Sequence, residues 1–294
     1  METNGNATDS ATTRGAVFRE LHDRAGGFIL PNPWDAGSAR LLAGLGFEAL
    51  ATTSAGMAFS QGVTDGQVGW DAVLQHCREL VAATDLPVSA DLERGIGDRP
   101  EDAVATVRAA ADIGLAGCSL EDYSGDARQP IYDFNLAVAR IRAAADAARA
   151  LPHDFVLTAR TENYFHGRPD LDDTILRLRA FADAGADVLY APGLPDLDAI
   201  RAVCAAVEKP VNVMYGMGGE TYGVADLVAA GVRRISVGPA FAWAAYGAMI
   251  ETARNLAASG RMVYPTPMAG YGEIAKLLAA GAPKAAALTE ARGH

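Results

Sequence analysis

The chain has 294 residues, half of them hydrophobic, and a formal net charge of −11 at pH 7 from 36 acidic and 25 basic side chains. That balance excludes a nucleic-acid partner, because phosphate binding needs a concentrated basic face and no basic run occurs. No apolar run approaches the roughly 18 residues that span a bilayer, and the widely spaced Cys77, Cys118 and Cys204 fit reduced, buried thiols of a cytoplasmic protein rather than a disulfide framework.

Residues 1–15 are polar and rich in Thr, Asn and Ser, without the basic-then-apolar order of a secretion signal, and are expected to form a disordered tail. Beyond them, short apolar, β-branched runs recur at 28–31, 48–53, 87–92, 117–122, 155–160, 187–192, 210–215 and 234–239, which makes eight expected strands. Between most of them lie Ala/Leu/Arg-rich segments, such as 70–83, 100–113 and 133–150, with apolar residues at helical spacing. A weak repeat, LLAGLGFEAL, AADIGLAGCSL, FADAGADVLY and LVAAGVRRISV, ends a helix at Gly46, Gly114, Gly185 or Gly231, where a left-handed cap stops the helix before the next strand.

Strand–helix alternation implies parallel strands. Eight such units, with no GxGxxG after the first, point to a single (β/α)8, TIM-type barrel over residues 16–260 rather than an open doubly wound sheet. Helices expected around 240–259 and 271–286 exceed what the barrel needs, and the extension 261–294 is expected to be helical and to make oligomer contacts.

In such barrels the chemistry sits where strands end and the following loops begin. Lys209, Lys276 and Lys284, the three lysines, lie away from those ends, so Schiff-base chemistry lacks a nucleophile. Of the five histidines, His22, His76, His153 and His294 fall on helices, returning loops or the terminus, leaving His166 alone beyond a strand end and a His-rich zinc site without ligands. Cys118 comes early in its strand with no histidine nearby in sequence, which disfavours a Cys–His nucleophile.

Carboxylates remain. The third strand ends in Ser-Ala-Asp-Leu-Glu, whose two-residue period projects Asp91 and Glu93 to one side, and the fourth ends in Glu121-Asp122. Asp91, Glu93 and Glu121 on neighbouring strands repel one another unless a cation sits among them, and hard oxygen ligands suit magnesium or manganese. The alternative is that these acids cap the following helices or pair with Arg94 or Arg99. The fifth strand ends in Ala159-Arg160-Thr161-Glu162, and Arg160 there can clamp a substrate carboxylate, balance the acidic cluster or form a structural ion pair. After the second strand, Thr-Thr-Ser-Ala-Gly-Met-Ala reads as a small-residue turn whose amides could receive an anion, and Tyr215-Gly-Met-Gly-Gly-Glu as a turn that could also cradle phosphate.

The series Asn32-Pro-Trp-Asp-Ala-Gly-Ser-Ala-Arg40, Thr53-Ser-Ala-Gly, Gly62-Val-Thr-Asp65, Asp91-Leu-Glu93, Leu120-Glu121-Asp122, Ala159-Arg160 and Pro210-Val-Asn212 resembles the isocitrate lyase / phosphoenolpyruvate mutase superfamily, from about residue 25 to about residue 250. The resemblance implies that backbone groups at Thr53, Ser54 and Ala55 hold a substrate carboxylate and 2-oxo group. It makes Asp91 the direct Mg2+ ligand, with Mn2+ as the alternative ion, and has Asp65, Glu93 and Glu121 act mainly through metal-bound waters. Arg160 then faces the substrate and Asn212 completes the pocket. It further implies a homotetramer exchanging a C-terminal helix, and a lyase or decarboxylase that breaks a C–C bond of a small 2-hydroxy or 2-oxo dicarboxylic acid through a pyruvate-like enolate. C–P chemistry on phosphonopyruvate is the alternative reaction, and a non-catalytic metabolite-binding barrel the alternative from another class.

Several positions depart from the family's patterns. The Lys-Lys-Cys-Gly-His loop of isocitrate and methylisocitrate lyases is absent, and Trp34 stands where those lyases carry a tyrosine. The mutase loop's lysine and asparagine are replaced by Tyr-Ser-Gly-Asp-Ala-Arg-Gln-Pro after Asp122, and residue 93 is Glu rather than Asp. Tyr123 and His166 are the groups available to replace the missing acid and base, with a plain surface-loop histidine as the other reading of His166.

Overall fold

The computed structural model describes residues 4–264 and 267–284, with side chains from Arg14 onward. Eight strands, β1 (Phe28–Leu30), β2 (Leu50–Ala51), β3 (Val88–Asp91), β4 (Gly117–Glu121), β5 (Val156–Arg160), β6 (Val188–Tyr190), β7 (Val211–Met214) and β8 (Arg234–Ser236), each fall inside one of the expected runs. All pair in parallel, in the order β1-β8-β7-β6-β5-β4-β3-β2. The gap between β1 and β2 is bridged by the Ala51 amide donating to the Pro31 carbonyl at 3.0 Å, so the sheet curls into a nearly closed TIM-type barrel.

Helices α2 (Ala36–Gly44), α4 (Trp70–Ala83), α5 (Pro100–Ile113), α6 (Phe134–Arg149), α7 (Leu171–Asp183), α8 (Leu197–Ala206) and α9 (Val224–Ala229) return the chain between strands. Several start on an aspartate whose carboxylate accepts a backbone N–H of the first turn, as Asp35 does from Ser38 at 2.6 Å and Asp196 from Ala199 at 2.8 Å. Gly46, Gly114, Gly185 and Gly231 all take positive φ, between 91° and 105°, as the repeat required. The main core lies between strands and helices, and Cys77 and Cys118 are buried free thiols packed in it.

Two elements differ from the sequence reading. Helix α1 (Asn4–Asp23) begins inside the stretch expected to be a disordered tail. Its second half plugs the barrel floor: Phe18 and Leu21 join Phe28, Leu30, Ala49, Ala116, Val156 and Val188 in a separate apolar cluster, and the His22 ring meets those of Phe18 and Phe28 edge-on. Arg14 and Arg19 fasten it, donating to the carbonyls of Thr84 and Phe155. The small-residue run after β2 is a short helix rather than a turn, α3 (Ser54–Ser60), with Thr53 as its N-cap.

Beyond the barrel, α10 (Ala240–Ser259) projects with only Ala242 buried and with Trp243, Met249, Ile250 and Leu256 exposed. Helix α11 (Tyr271–Ala280) returns onto α2 of the same chain, where the absence of side chains at Gly44 and Gly281 permits contact: a Cβ at Gly281 would stand 1.9 Å from the Arg40 carbonyl. The end of the expected 271–286 helix and the rest of the extension from residue 285 lie outside the described residues. No described helix is long and apolar enough to cross a membrane.

Candidate active site

The C-terminal rim gathers the acids that the strand ends placed there. Asp91 closes β3, and its backbone N–H donates to the Thr52 hydroxyl at 2.9 Å, which fixes it against β2. Its carboxylate is the centre of the cluster. Ser54 and Ser119 hydroxyls donate to it at 3.4 Å each, the Glu93 amide at 3.3 Å, and Arg160 Nη1 stands 3.4 Å away. Arg160, at the end of β5, also places Nε 3.4 Å from Glu121 Oε2 and hydrogen-bonds Glu162, with its guanidinium over the Tyr190 ring. Arg160 therefore faces three carboxylates with a single charge and is not free to pair with a substrate alone.

The remaining acids pay for their proximity. Burial and the nearby Asp91 push Asp65 above its ordinary range. Burial, with Asp91 and Asp65, pushes Glu93 up to about 7. Glu121 is raised well above a usual carboxylate, chiefly by burial, although Arg160 opposes this. Glu93 is also the one described non-glycine residue with positive φ, at 50°, a conformation costing about 1 kcal/mol or more that persists only where the surroundings impose it.

Five carboxylates, Asp65, Asp91, Glu93, Glu121 and Glu162, around one guanidinium form a hard-oxygen set short of positive charge, and a divalent cation fits that deficit. Among the described residues, however, no three His, Cys, Asp or Glu side chains converge closely enough to hold one ion directly. The arrangement fits a single direct ligand, Asp91, with the other acids at one remove, rather than a cage of protein oxygens.

A cavity of about 200 Å3 opens beside Asp91, lined by Thr53, Ser54, Ala55, Asp65, Arg160 and Asn212 among others. These expected site residues are thus brought together, and Phe165, Met214, Met217 and Trp243 give the cavity an apolar side. Glu93 and Glu121 are not on the cavity wall. Tyr123 and His166 are not on the wall either: their rings stack at 3.8 Å with 6° between planes, and His166 Nε2 lies 3.6 Å from Glu162. Burial lowers the His166 pKa, which leaves the ring neutral at pH 7.

Four groups had no assigned role in the sequence. Asn32 ties three strand ends, its amide donating to the Thr52 carbonyl and its carbonyl accepting from Val237 and Gly238, each at 2.9 Å. Buried Asp122 accepts from the Glu162 amide at 2.8 Å, Thr161 at 3.0 Å and Arg177 at 3.1 Å, which locks the loop that carries Glu162. Arg234 lies on the cavity floor. Glu220 fills the glycine-rich loop after β7, accepting from Gly216, Met217 and Gly218 at 2.8–2.9 Å, so the amides considered for phosphate hold the loop's own carboxylate. The signal for the last was adjacency: an acid directly after a Gly-rich turn is placed to close it.

Known proteins share this fold and much of this sequence. The chain is 34% identical over 222 residues to an uncharacterized protein of Mycobacterium tuberculosis, covering 75% of this chain and 81% of that one. It is 30% identical over 205 residues to 2-methylisocitrate lyase of Escherichia coli K12, covering 67% and 68%. A Burkholderia cenocepacia J2315 protein whose name leaves lyase and mutase open superposes with a TM-score of 0.88 at 54% identity, over 91% of this chain and 96% of that one. Oxaloacetate acetylhydrolase with its product oxalate superposes with a TM-score of 0.82 at 27% identity, over 97% and 99%. The model of the phosphoenolpyruvate phosphomutase family matches residues 18–257, and the chain belongs to that family, within the isocitrate lyase / phosphoenolpyruvate mutase superfamily.

Proposed function

We propose that this chain is a Mg2+-dependent lyase that breaks a carbon–carbon bond, or decarboxylates, in a small 2-hydroxy or 2-oxo dicarboxylic acid. The observation that carries the reading is the Asp91 carboxylate, set beside the cavity by two hydroxyls, an amide and Arg160 and surrounded by further acids that outnumber the single guanidinium. Magnesium, when bound, supplies Lewis acidity toward the carboxylate and its neighbouring oxygen; Mn2+ suits the same donors.

The chain's own residues do the rest. The backbone at Thr53, Ser54 and Ala55 receives the substrate carboxylate, and Asn212 holds the opposite side of the cavity. Arg160 stabilises negative charge as it develops on the 2-oxo-acid part of the substrate, at a site where low dielectric strengthens the interaction. Tyr123 and His166 supply the acid and base of this reading, and because their stacked rings stand off the cavity wall beside Glu162 they would exchange protons with the substrate through a bridging water. The long exposed apolar face of α10 is covered by a second copy of the chain, with a tetramer as the assembly.

The family match also supports C–P bond chemistry on phosphonopyruvate. Against it, Glu220 already occupies the amides of the loop after β7. Pyruvate or glyoxylate release from oxaloacetate, substituted malates, isocitrates and phosphonopyruvate, with and without EDTA, separates the two. EDTA-sensitive turnover of a C–C substrate that Asp91→Ala abolishes is expected. Turnover of phosphonopyruvate alone would move the reaction to C–P cleavage, and magnesium binding without any turnover would leave a binding barrel.

A further inference from the structure

Arg234 is the buried cation that the reading above leaves unused. It sits on β8 in register with Phe28 of β1 and Asn212 of β7, and it is 4% exposed. Its Nε donates to Asn212 Oδ1 at 2.9 Å, which turns the Asn212 amide toward the Ser236 hydroxyl at 3.1 Å. Its Nη1 is fully buried and meets no acceptor. Arg160 has three carboxylates within reach and Arg177 two; Arg234 pairs with none among the described residues.

That state is costly, because a guanidinium taken out of water without a counter-charge loses hydration and recovers little. Burial pulls its pKa down only to about 10, so the charge remains at neutral pH. Among the described residues no anion is available from below: the floor there is the Phe18, His22 and Phe28 ring cluster, and His22, pushed down to about 3 by burial and by Arg234, is neutral. The open side is the cavity, where Arg234 shares the wall with Asn212, Ser236 and Tyr190 and with Thr53, Ser54 and Ala55. An ordered water can satisfy one N–H but does not offset the charge.

We infer that Arg234, with Asn212 and Ser236, forms an anion subsite at the cavity floor that takes the distal carboxylate of the substrate and so selects dicarboxylic acids long enough to span the cavity over acids confined to the Asp91 side. The inference rests on the reading of the cavity given under Proposed function. It also gives the buried charge a reason to persist, since a binding site can retain a group that costs stability.

Calorimetric titration in Mg2+ tests it with two probes: 3,3-difluorooxaloacetate, long enough to span the cavity, and oxalate, confined to the Asp91 side. For Arg234→Met the affinity for difluorooxaloacetate is expected to fall at least 30-fold while that for oxalate changes less than threefold. Arg234→Lys, which keeps the charge, should retain a third or more of the wild-type affinity for difluorooxaloacetate. Without ligand, Arg234→Met should melt no lower than wild type, because it removes an uncompensated buried charge. Equal losses for both probes would overturn the inference and leave Arg234 as a support for Asn212, and no loss for either would overturn it in favour of a hydrated side chain. Wild type binding oxalate but not difluorooxaloacetate would sink this inference alone, whereas wild type binding neither would sink the reading of the site and the inference with it. Should Arg234→Met not fold, Arg234→Gln provides the same comparison.

Discussion

The substitution Glu93→Gln isolates the electrostatic stress of the acidic cluster. Glu93 is raised from its ordinary 4.5 to about 7, first by burial and then by Asp91 and Asp65. A shift of that size bounds the effect at about 3 kcal/mol, at about 1.4 kcal/mol per pH unit; the side chain is partly exposed, and screening reduces this to about 1–2 kcal/mol. The sign follows from the raised value. Between about 4.5 and about 7 the folded state binds more protons than the unfolded one, so stability falls as pH rises through that window and is flat above it with respect to this group. Unfolding by urea in EDTA at pH 5, 6, 7 and 8 should therefore show wild type losing about 1–2 kcal/mol across the series, with Glu93→Gln losing less. At pH 8 in EDTA the variant should be the more stable protein. Millimolar Mg2+ should reverse the order, because a cation stabilises only the ionised cluster and adds about 3 kcal/mol at a hundred times its Kd. A variant less stable than wild type at pH 8 in EDTA, with parallel pH profiles, would refute the account of Glu93.

Arg160→Gln removes the counter-charge of Asp91, Glu121 and Glu162, and should cost about 3–5 kcal/mol at pH 8 in chemical denaturation, with the deficit shrinking toward pH 5 as the raised carboxyl groups take up protons. Arg177→Met strands the buried Asp122 and should cost about 3 kcal/mol; the double variant with Asp122→Asn should recover part of that, and a strictly additive double cycle would contradict the coupling. Paired substitutions Met249→Asp and Leu256→Asp on the exposed face of α10 should yield a smaller species in light scattering with an unchanged circular dichroism spectrum, and an unaltered mass would contradict the assembly surface.

What the linear sequence carried was periodic or local. Eight β-branched runs separated by helical spacing give parallel strands whatever their neighbours, and the glycines at 46, 114, 185 and 231 stop helices through their own backbone freedom. Asp91, Glu121 and Arg160 were legible because strand ends in a barrel share one rim. The short helix α3 was legible in principle, since Thr53 precedes an Ala- and Met-containing run, but Gly56 within it reads equally as a turn.

Tertiary structure decided the rest, because the deciding partners are far apart in the chain. Arg160 faces Asp91 across 69 residues, and the Asn32 carbonyl meets Gly238 across 206. That Arg234 points into the barrel rather than to solvent follows only once β1, β7 and β8 lie side by side, because a three-residue strand has no alternation of its own to show which face is inside. The standing of Tyr123 and His166 off the cavity wall, joined to it through Glu162, likewise depends on the Asp122–Arg177 contact made between β4 and α7. Sequence thus determined which side chains reach the rim, and the closure of the barrel determined which of them meet, because proximity there is set by strand register and not by spacing along the chain.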